Sequence, residues 1–309
     1  MRHRSLGSSG IEISALALGS WRTFERISRS DGVAVMTAAR EAGIDFLDDA
    51  RYDDETGAAP IPTGYSEVVF GELFRGSGWR REEVVVANKL WWEHWPTESA
   101  ADELDGSLGR MGFDYLDLVY SEDPPEGLAV EEAVQALAHL VAAGKVRAWG
   151  VLNWPAERVA EAGRIAVASG VPPPCAAQLP YSVAYTEVVE DAAMEDALRA
   201  VDASVVASFT LAGGALTGKY ADPDVSGRLA DRREGERLQT AFRAGERLRG
   251  IADELGTTPS RLAIAFALAN PLVASALFGS TTPDQVEDNI RALELLERID
   301  EADLARLRE

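Results

Sequence analysis

The sequence has very little cysteine and histidine. Its single cysteine, Cys175, excludes an internal disulfide, and one cysteine with three histidines cannot assemble a zinc cluster. Cys175 lies in the apolar stretch 174–177, which is typical of a small core residue. We therefore expect neither a disulfide framework nor a metal centre.

Long hydrophobic runs and excess positive charge are also missing. No apolar run approaches the roughly 18 residues of a membrane span, and residues 1–7 contain no apolar signal-peptide core. The formal net charge of -21 opposes binding to nucleic acid and to anionic membranes. We expect a soluble, cytoplasmic protein with neither kind of partner.

The 309 residues that are present have an ordinary globular balance, with 46% hydrophobic and 26% charged residues. A chain of this length forms one or two domains, and a single α/β barrel domain can be this long. The chain is therefore long enough to bury a large core.

Short apolar runs alternate with helical patterns along the chain. An opening β-hairpin is predicted over 2–6 and 11–14. Eight candidate strands follow, at 15–19, 45–48, 84–89, 115–121, 146–151, 175–179, 204–208 and 274–278. Candidate helices include 29–42, 66–74, 98–111, 130–143 and 156–169. Strands that alternate with helices form parallel sheets covered on both faces.

Closing eight such units predicts a single α/β domain over residues 1–309, a (β/α)8 TIM barrel with an N-terminal β-hairpin. An open doubly wound sheet is the alternative, but residues 20–23 after the first strand are no glycine-rich dinucleotide turn. The long segments 51–64, 90–97 and 210–236 each follow a strand, at the face where barrel active sites lie. Whether 51–64 is a lid, a partner surface or an oligomer contact is open, as is the oligomeric state.

Seven segments, taken in order, resemble the aldo-keto reductase superfamily. They lie at 6–14, 43–50, 88–89, 108–118, 144–153, 211–220 and 279–289, so the resemblance extends over nearly the whole chain. Any one of them is a weak signal, but their order is strong. The resemblance implies a nicotinamide cofactor and reduction of a small carbonyl compound.

The resemblance also implies a catalytic set. In that family a tyrosine protonates the carbonyl oxygen, a lysine and an aspartate lower its pKa, and a histidine orients the substrate. Asp48 and Lys89 match the aspartate and the lysine. The chemistry needs an acid near neutral pH from a phenol whose ordinary pKa is about 10, and a neighbouring ammonium lowers that pKa.

Two positions depart from the family pattern. Asp53 stands where the tyrosine is expected; Tyr52 fills the role if the loop shifts by one residue, Tyr65 is a second candidate, and a site without a tyrosine acid is the third possibility. Glu122 stands where the family has its histidine. An apolar pocket would keep this carboxyl neutral, so that it could polarise a substrate carbonyl.

The cofactor residues follow by the same resemblance. The amides of Asn153 and Gln178 would hold the nicotinamide carboxamide, and Tyr181 would stack on the ring. The remaining positions are Leu211, Gly213 and Leu216 for the pyrophosphate, and Gly279, Ser280, Thr281, Gln285 and Asn289 for the adenosine end. No Arg or Lys lies near Thr281, so NADP is favoured by the resemblance while NAD stays possible.

The sequence thus predicts an NADP(H)-dependent oxidoreductase that reduces a carbonyl or a conjugated double bond of a small metabolite, an aldehyde, ketone or enone. Two alternatives remain. The same pocket could support elimination or isomerisation, or the chain could be a non-catalytic nicotinamide-binding regulator, as the potassium-channel β subunits of this superfamily illustrate.

Overall fold

The structure is a computed structural model that describes residues 1–221, 229 and 235–308. Part of the predicted segment 210–236 therefore lies outside the described residues. Within the described residues no helix is both long and apolar enough to cross a membrane.

The chain opens with a two-stranded antiparallel hairpin, β1 (His3–Ser5) and β2 (Glu12–Ser14). Ile13 of the hairpin is fully buried in the same apolar cluster as Phe46 and Cys175, so the hairpin closes one end of the barrel. Its turn needs glycine at position 7, where φ is +50° and a Cβ atom would lie 2.3 Å from the carbonyl oxygen of Cys175.

Among the described residues, eight parallel strands form one closed barrel in the order β10-β3-β4-β5-β6-β7-β8-β9. The strands are β3 (Leu16–Gly19), β4 (Phe46–Asp48), β5 (Val85–Leu90), β6 (Leu116–Glu122), β7 (Val146–Leu152), β8 (Ala176–Pro180), β9 (Ser204–Ser208) and β10 (Val273–Phe278). The predicted (β/α)8 barrel with its hairpin is confirmed, because neighbours in the sheet are parallel and joined by helices.

Helices surround the barrel. The described ones are α1 (Arg29–Glu41), α2 (Tyr65–Gly76), α3 (Ala100–Met111), α4 (Val130–Ala142), α5 (Ala156–Ser169), α6 (Ala192–Val201), α7 (Glu236–Leu255), α8 (Pro259–Ala269), α9 (Pro283–Ile290), α10 (Ala292–Leu296) and α11 (Glu301–Arg308). Helices outside and side chains inside leave β5 buried along its whole length. Its apolar residues 85–87 and Leu90 follow from that burial, and Asn88 and Lys89 are the polar residues at its carboxyl end.

The start of α3 matters for the site because it follows the tryptophan-rich loop after β5. Ser99 accepts a hydrogen bond from the amide of Asp102, and Asp102 bonds back to Ser99 in a capping box. The cap fixes the first turn of α3, so that Glu103 faces this loop.

Candidate functional site

A buried ion pair lies at the carboxyl ends of β4 and β5. The Nζ of Lys89 donates to Oδ1 of Asp48 and, at 3.0 Å, to the backbone oxygen of Asp49. The Nε2 of Gln178, from β8, donates to the other Asp48 oxygen at 2.9 Å. Asp48 and Lys89 are each 2% exposed. Charges that deep need partners, and the three strand ends supply them.

A second carboxyl lies directly beside the pair and was not singled out from the sequence. Asp49 is fully buried; Oδ1 accepts a hydrogen bond from Ser20, and Oδ2 has no partner among the described residues. Burial raises the pKa of Asp49 well above its ordinary value, and the charge of Glu67 raises it further. Burial is the larger cause, so the protonated form of Asp49 persists to higher pH than that of a free carboxyl group.

Tyr52 lies between two tryptophans at the open end of the barrel. Its ring centroid is 6.3 Å from Trp21 and 6.2 Å from Trp91. Burial, and then the charges of Asp48 and Asp49, raise its pKa well above the ordinary value for tyrosine. The expected lowering of the Tyr52 pKa by an ammonium is therefore wrong for this structure, because burial and the neighbouring carboxylates raise it.

The alternatives to Tyr52 lie elsewhere. Asp53, at the usual tyrosine position, is exposed and forms an isolated bridge with Thr63 that closes the base of the 51–64 loop. Tyr65 begins α2, where its hydroxyl accepts a hydrogen bond from Arg29 at 2.9 Å. The guanidinium of Arg29 also lies over the Tyr65 ring. Tyr52 is thus the tyrosine that the loop places beside Asp48.

Glu122 is the last residue of β6 and is half-buried at the same end of the barrel. Burial raises its pKa, and the carboxylates of Asp123, Glu103 and Glu93 raise it further. The structure therefore gives Glu122 the environment that keeps a carboxyl protonated above its ordinary range.

The two residues predicted to hold the carboxamide, Asn153 and Gln178, lie at the ends of the neighbouring strands β7 and β8. Asn153 follows β7 in the left-handed region, with φ of 57°, and its side chain is exposed. The backbone amide of Asn153 donates to the backbone oxygen of Gln178 at 3.2 Å. An asparagine tolerates this backbone conformation better than most residues. The Gln178 side chain, by contrast, already binds Asp48, as described above.

Tyr181 does not face the open end, so its predicted stacking on a nicotinamide is wrong for this structure. The residue is fully buried, its ring stacks on Phe266 with centroids 5.7 Å apart, and its hydroxyl donates to Glu190 at 2.6 Å. Phe209, which directly follows β9, offers the ring instead: it is 43% exposed, with φ of 51°, and lies 5.3 Å from Trp21.

The loop after β9 turns back on itself at its glycines. Gly213 and Gly214 have φ of 67° and 99°, which residues with a Cβ rarely adopt. The amides of Gly214 and Leu216 both donate to the oxygen of Leu211, and Leu216 is fully buried. The Leu216 side chain therefore packs in the core under the loop, and its backbone amide is already bonded to Leu211.

The end of β10 leads into α9 through residues 279–282. Ser280 is 1% exposed, and its Oγ has no hydrogen-bond partner among the described residues. The Oε1 of Gln285 accepts from the backbone amide of Thr281 at 2.8 Å. Gly279 is exposed and Asn289 is buried. The segment thus presents one buried hydroxyl that lacks a partner beside the start of a helix.

The comparisons with known proteins agree with this architecture. A family model described as the Aldo/keto reductase family matches residues 15–309. The chain belongs to the aldo/keto reductase family. It is 31% identical over 314 residues to a probable voltage-gated potassium channel subunit beta of Oryza sativa subsp. japonica, and 28% identical over 315 residues to a protein of the same description from Arabidopsis thaliana. Each match covers 96% of this chain and 92% of the relative.

Proposed function

We propose that the protein is an NADP(H)-dependent reductase of a carbonyl or a conjugated double bond in a small metabolite. The observation that carries the proposal is the buried Lys89–Asp48 pair at two neighbouring strand ends, with Tyr52 between two tryptophans beside it. Barrel enzymes hold their reacting groups at this face. Membership of the aldo/keto reductase family supports an oxidoreductase.

Three features fit a dinucleotide lying across this face. Asn153 offers an exposed amide for the carboxamide, and Phe209 offers an exposed ring for stacking. Ser280 offers a buried hydroxyl that has no partner in the described part of the chain, at the β10 end. A buried polar atom without a partner indicates a missing one, and a cofactor oxygen would supply it.

When bound, the nicotinamide supplies the hydride. The residues of this chain then handle the oxygen of the substrate. Tyr52, whose raised pKa keeps it protonated, donates a hydrogen bond to that oxygen and can protonate the alkoxide, which is a far stronger base than a phenolate. Burial raises the pKa of Glu122, and in its protonated form this carboxyl donates a second hydrogen bond to the carbonyl. Lys89 holds Asp48 and the Asp49 carbonyl in place beneath them.

The test mixes purified protein with NADPH and follows fluorescence, and then adds a panel of aldehydes, quinones and enones while NADPH consumption is recorded. The proposal predicts saturable binding and substrate-dependent consumption. Elimination or isomerisation would convert a substrate without net consumption of the cofactor. Absence of binding by NADP and NAD, in both oxidation states, would overturn the proposal.

A second candidate function is a nicotinamide-binding regulatory subunit. It is favoured by the two relatives named above, both described as probable voltage-gated potassium channel beta subunits. This function predicts that NADPH binds but that no compound of the panel consumes it. The same two measurements therefore separate the candidates.

A further inference from the structure

A buried arginine joins the two loops that carry the reacting groups. Arg51 follows β4 immediately before Tyr52, and its side chain is only 6% exposed. Its guanidinium donates to Glu93 at 2.9 Å and to Glu103 at 3.3 Å. Glu93 lies in the tryptophan-rich loop after β5, and Glu103 lies in α3. Arg51 thus binds the loop of Tyr52 to the loop that follows Lys89.

Glu103 holds that second loop through its backbone. Its Oε1 accepts the amide of Trp91 at 2.8 Å, and its Oε2 accepts the amide of Trp92 at 3.2 Å. With Arg51 on Oε1 as well, one 4% exposed carboxylate receives three donors. Carboxylates so engaged are shielded from water and geometrically constrained.

The side chains that this network orients meet at the candidate site. The rings of Trp91 and Tyr52 are 6.2 Å apart, and Lys89 lies two residues before Trp91 on the same segment. Trp92 is held from its other side, where its Nε1 donates to Ser121 at 2.9 Å, next to Glu122. A shift of this segment would therefore move the ring that packs on Tyr52.

We infer that Glu103 and Arg51 are positioning residues, which fix the Trp91 ring against Tyr52 and so set the geometry of the proton donor. The inference rests on the proposed reductase function for its kinetic part. Neither residue touches the substrate in this account; both act through Tyr52 and Trp91. Small displacements of reacting groups are costly, since about 1 Å can reduce rates by roughly 100-fold.

Glu103→Gln tests the inference because glutamine has a single acceptor oxygen for three donors. One backbone amide then faces an amide nitrogen and loses its partner. We expect faster hydrogen exchange in the peptide that contains residues 91 and 92, and a fall of about tenfold in kcat/KM for 4-nitrobenzaldehyde. The fall should lie mainly in kcat, and the Kd for NADPH should stay within about twofold, because the cofactor residues lie elsewhere.

Glu98→Gln is the matched control. Glu98 lies 3.8 Å from Arg51, so the same charge is lost next to the same arginine. Among the described residues its carboxylate binds no amide of the Trp91–Trp92 segment. Exchange at residues 91 and 92 and turnover should both stay at the wild-type level. Equal losses in Glu98→Gln would overturn the inference, as would unchanged exchange in Glu103→Gln.

Arg51→Lys decides the matter if Glu103→Gln fails to fold. Lysine keeps the charge, but its shorter side chain ends in one ammonium, whereas the guanidinium binds Glu93 and Glu103 through Nη2 and places Nη1 3.8 Å from Glu98. We expect a smaller loss of kcat and a smaller rise in exchange than in Glu103→Gln, because the amides of residues 91 and 92 keep Glu103 as acceptor, and wild-type values for both would contradict the inference. If the wild-type protein consumes no NADPH with any probe, the proposed function fails, while the exchange comparison still decides the positioning role.

Discussion

Two regions at the open end of the barrel differ in how their polar atoms are satisfied. The floor, meaning Asp48, Lys89 and Gln178, is bonded within itself. The rim, meaning Trp91, Phe209 and Ser280, is not: the Trp91 Nε1 and the Ser280 Oγ are buried without partners in the described part of the chain, and the Phe209 ring is 43% exposed. The floor is complete without a ligand, whereas the rim has atoms that a ligand would satisfy.

The difference follows from the backbone beneath each region. Floor residues lie on strands whose register is fixed, with Asp48 beside Ala87 and Lys89 beside Tyr120. Rim residues lie on connecting segments, and Phe209 adopts a positive φ that is unusual for a bulky residue. Strain of this kind is often found at binding sites. Substitutions in the floor should therefore affect stability and activity together, whereas substitutions of Phe209 and Ser280 in the rim should affect binding alone.

The largest effect is expected from Lys89→Met. The change leaves the carboxylate of Asp48 buried with Gln178 as its remaining partner, which costs about 3–5 kcal/mol of unfolding free energy. Turnover should be abolished as well. Denaturant unfolding and NADPH consumption measure the two losses.

The double variant Asp48→Asn with Lys89→Met is its control. With both charges removed, much of the lost stability should return, but turnover should not. If the unfolding free energy of Lys89→Met lies within about 1 kcal/mol of the wild-type value, the Lys89–Asp48 pair behaves as an exposed ion pair, which contradicts its burial.

Tyr52→Phe should reduce kcat by about 100-fold, because it removes the hydroxyl that donates to the substrate oxygen. The Kd for NADPH should not change. Tyr65→Phe is the control: it removes the hydroxyl bonded to Arg29, away from the floor, and should leave turnover intact. Normal turnover in Tyr52→Phe would show that another group is the acid.

The pH dependence of turnover should report Glu122. Its pKa is raised, so the protonated form persists above the ordinary carboxyl range and is lost as pH rises through that raised value. Turnover should therefore decline with rising pH along this limb. Glu122→Gln keeps a neutral donor, and we expect the limb to disappear with a change of less than about tenfold at neutral pH.

A second substitution sharpens this prediction. Among the charges that raise the pKa of Glu122, that of Asp123 has the largest effect, so Asp123→Asn should move the limb to lower pH. If the declining limb of the pH profile persists in Glu122→Gln, or does not shift in Asp123→Asn, it reports the titration of a different group.

Ser280→Ala should weaken binding of NADP(H) about fivefold, which corresponds to one hydrogen bond of about 1 kcal/mol. Stability should hold, because the hydroxyl has no partner to lose among the described residues. Ser275→Ala is the opposite case, since its hydroxyl donates to Ser14 at 2.9 Å inside the barrel. It should lower stability without changing the Kd, and a reversal of the two outcomes would contradict the binding role proposed for Ser280.

The smallest effect concerns Asp49. Its folded-state pKa is raised, so the folded protein keeps a proton that the unfolded chain loses as pH rises above about 4. Wild-type stability should therefore fall as pH rises from that value towards the folded pKa. Thermal unfolding of Asp49→Asn should show a shallower decline over the same range, and parallel curves would mean that Asp49 is ionised in both states.

Much of the fold could be predicted from the sequence, because burial leaves a direct pattern. Each predicted barrel strand matches an observed one within one or two residues, because most residues of a strand covered on both sides are apolar. Segment 98–111 was placed slightly early; the capping box at Ser99 begins α3 at Ala100.

The site was predicted less completely. Asp48, Lys89 and Glu122 lie at strand ends, where the barrel rule places functional groups, and the structure brings Asp48 and Lys89 together. The orientation of the Tyr181 side chain could not be predicted from its position after β8. Its hydroxyl donates to Glu190, and no sequence pattern predicts this contact.

Other residues were missed for lack of a local signal. Phe209 could have been found, because an aromatic residue directly after a predicted strand is a strand-end residue of the same kind. Arg51 and Glu103 could not, since 52 positions separate them and their partnership exists only in the folded chain.

Titration of NADPH into the wild-type protein and into Phe209→Ala would show whether a dinucleotide binds at the open end of the barrel, with tryptophan emission and energy transfer to the nicotinamide as readouts. We expect saturable binding of one NADPH per chain, and weaker binding when the exposed ring is removed. Absence of binding by the phosphorylated and unphosphorylated dinucleotides, reduced or oxidised, would contradict this expectation.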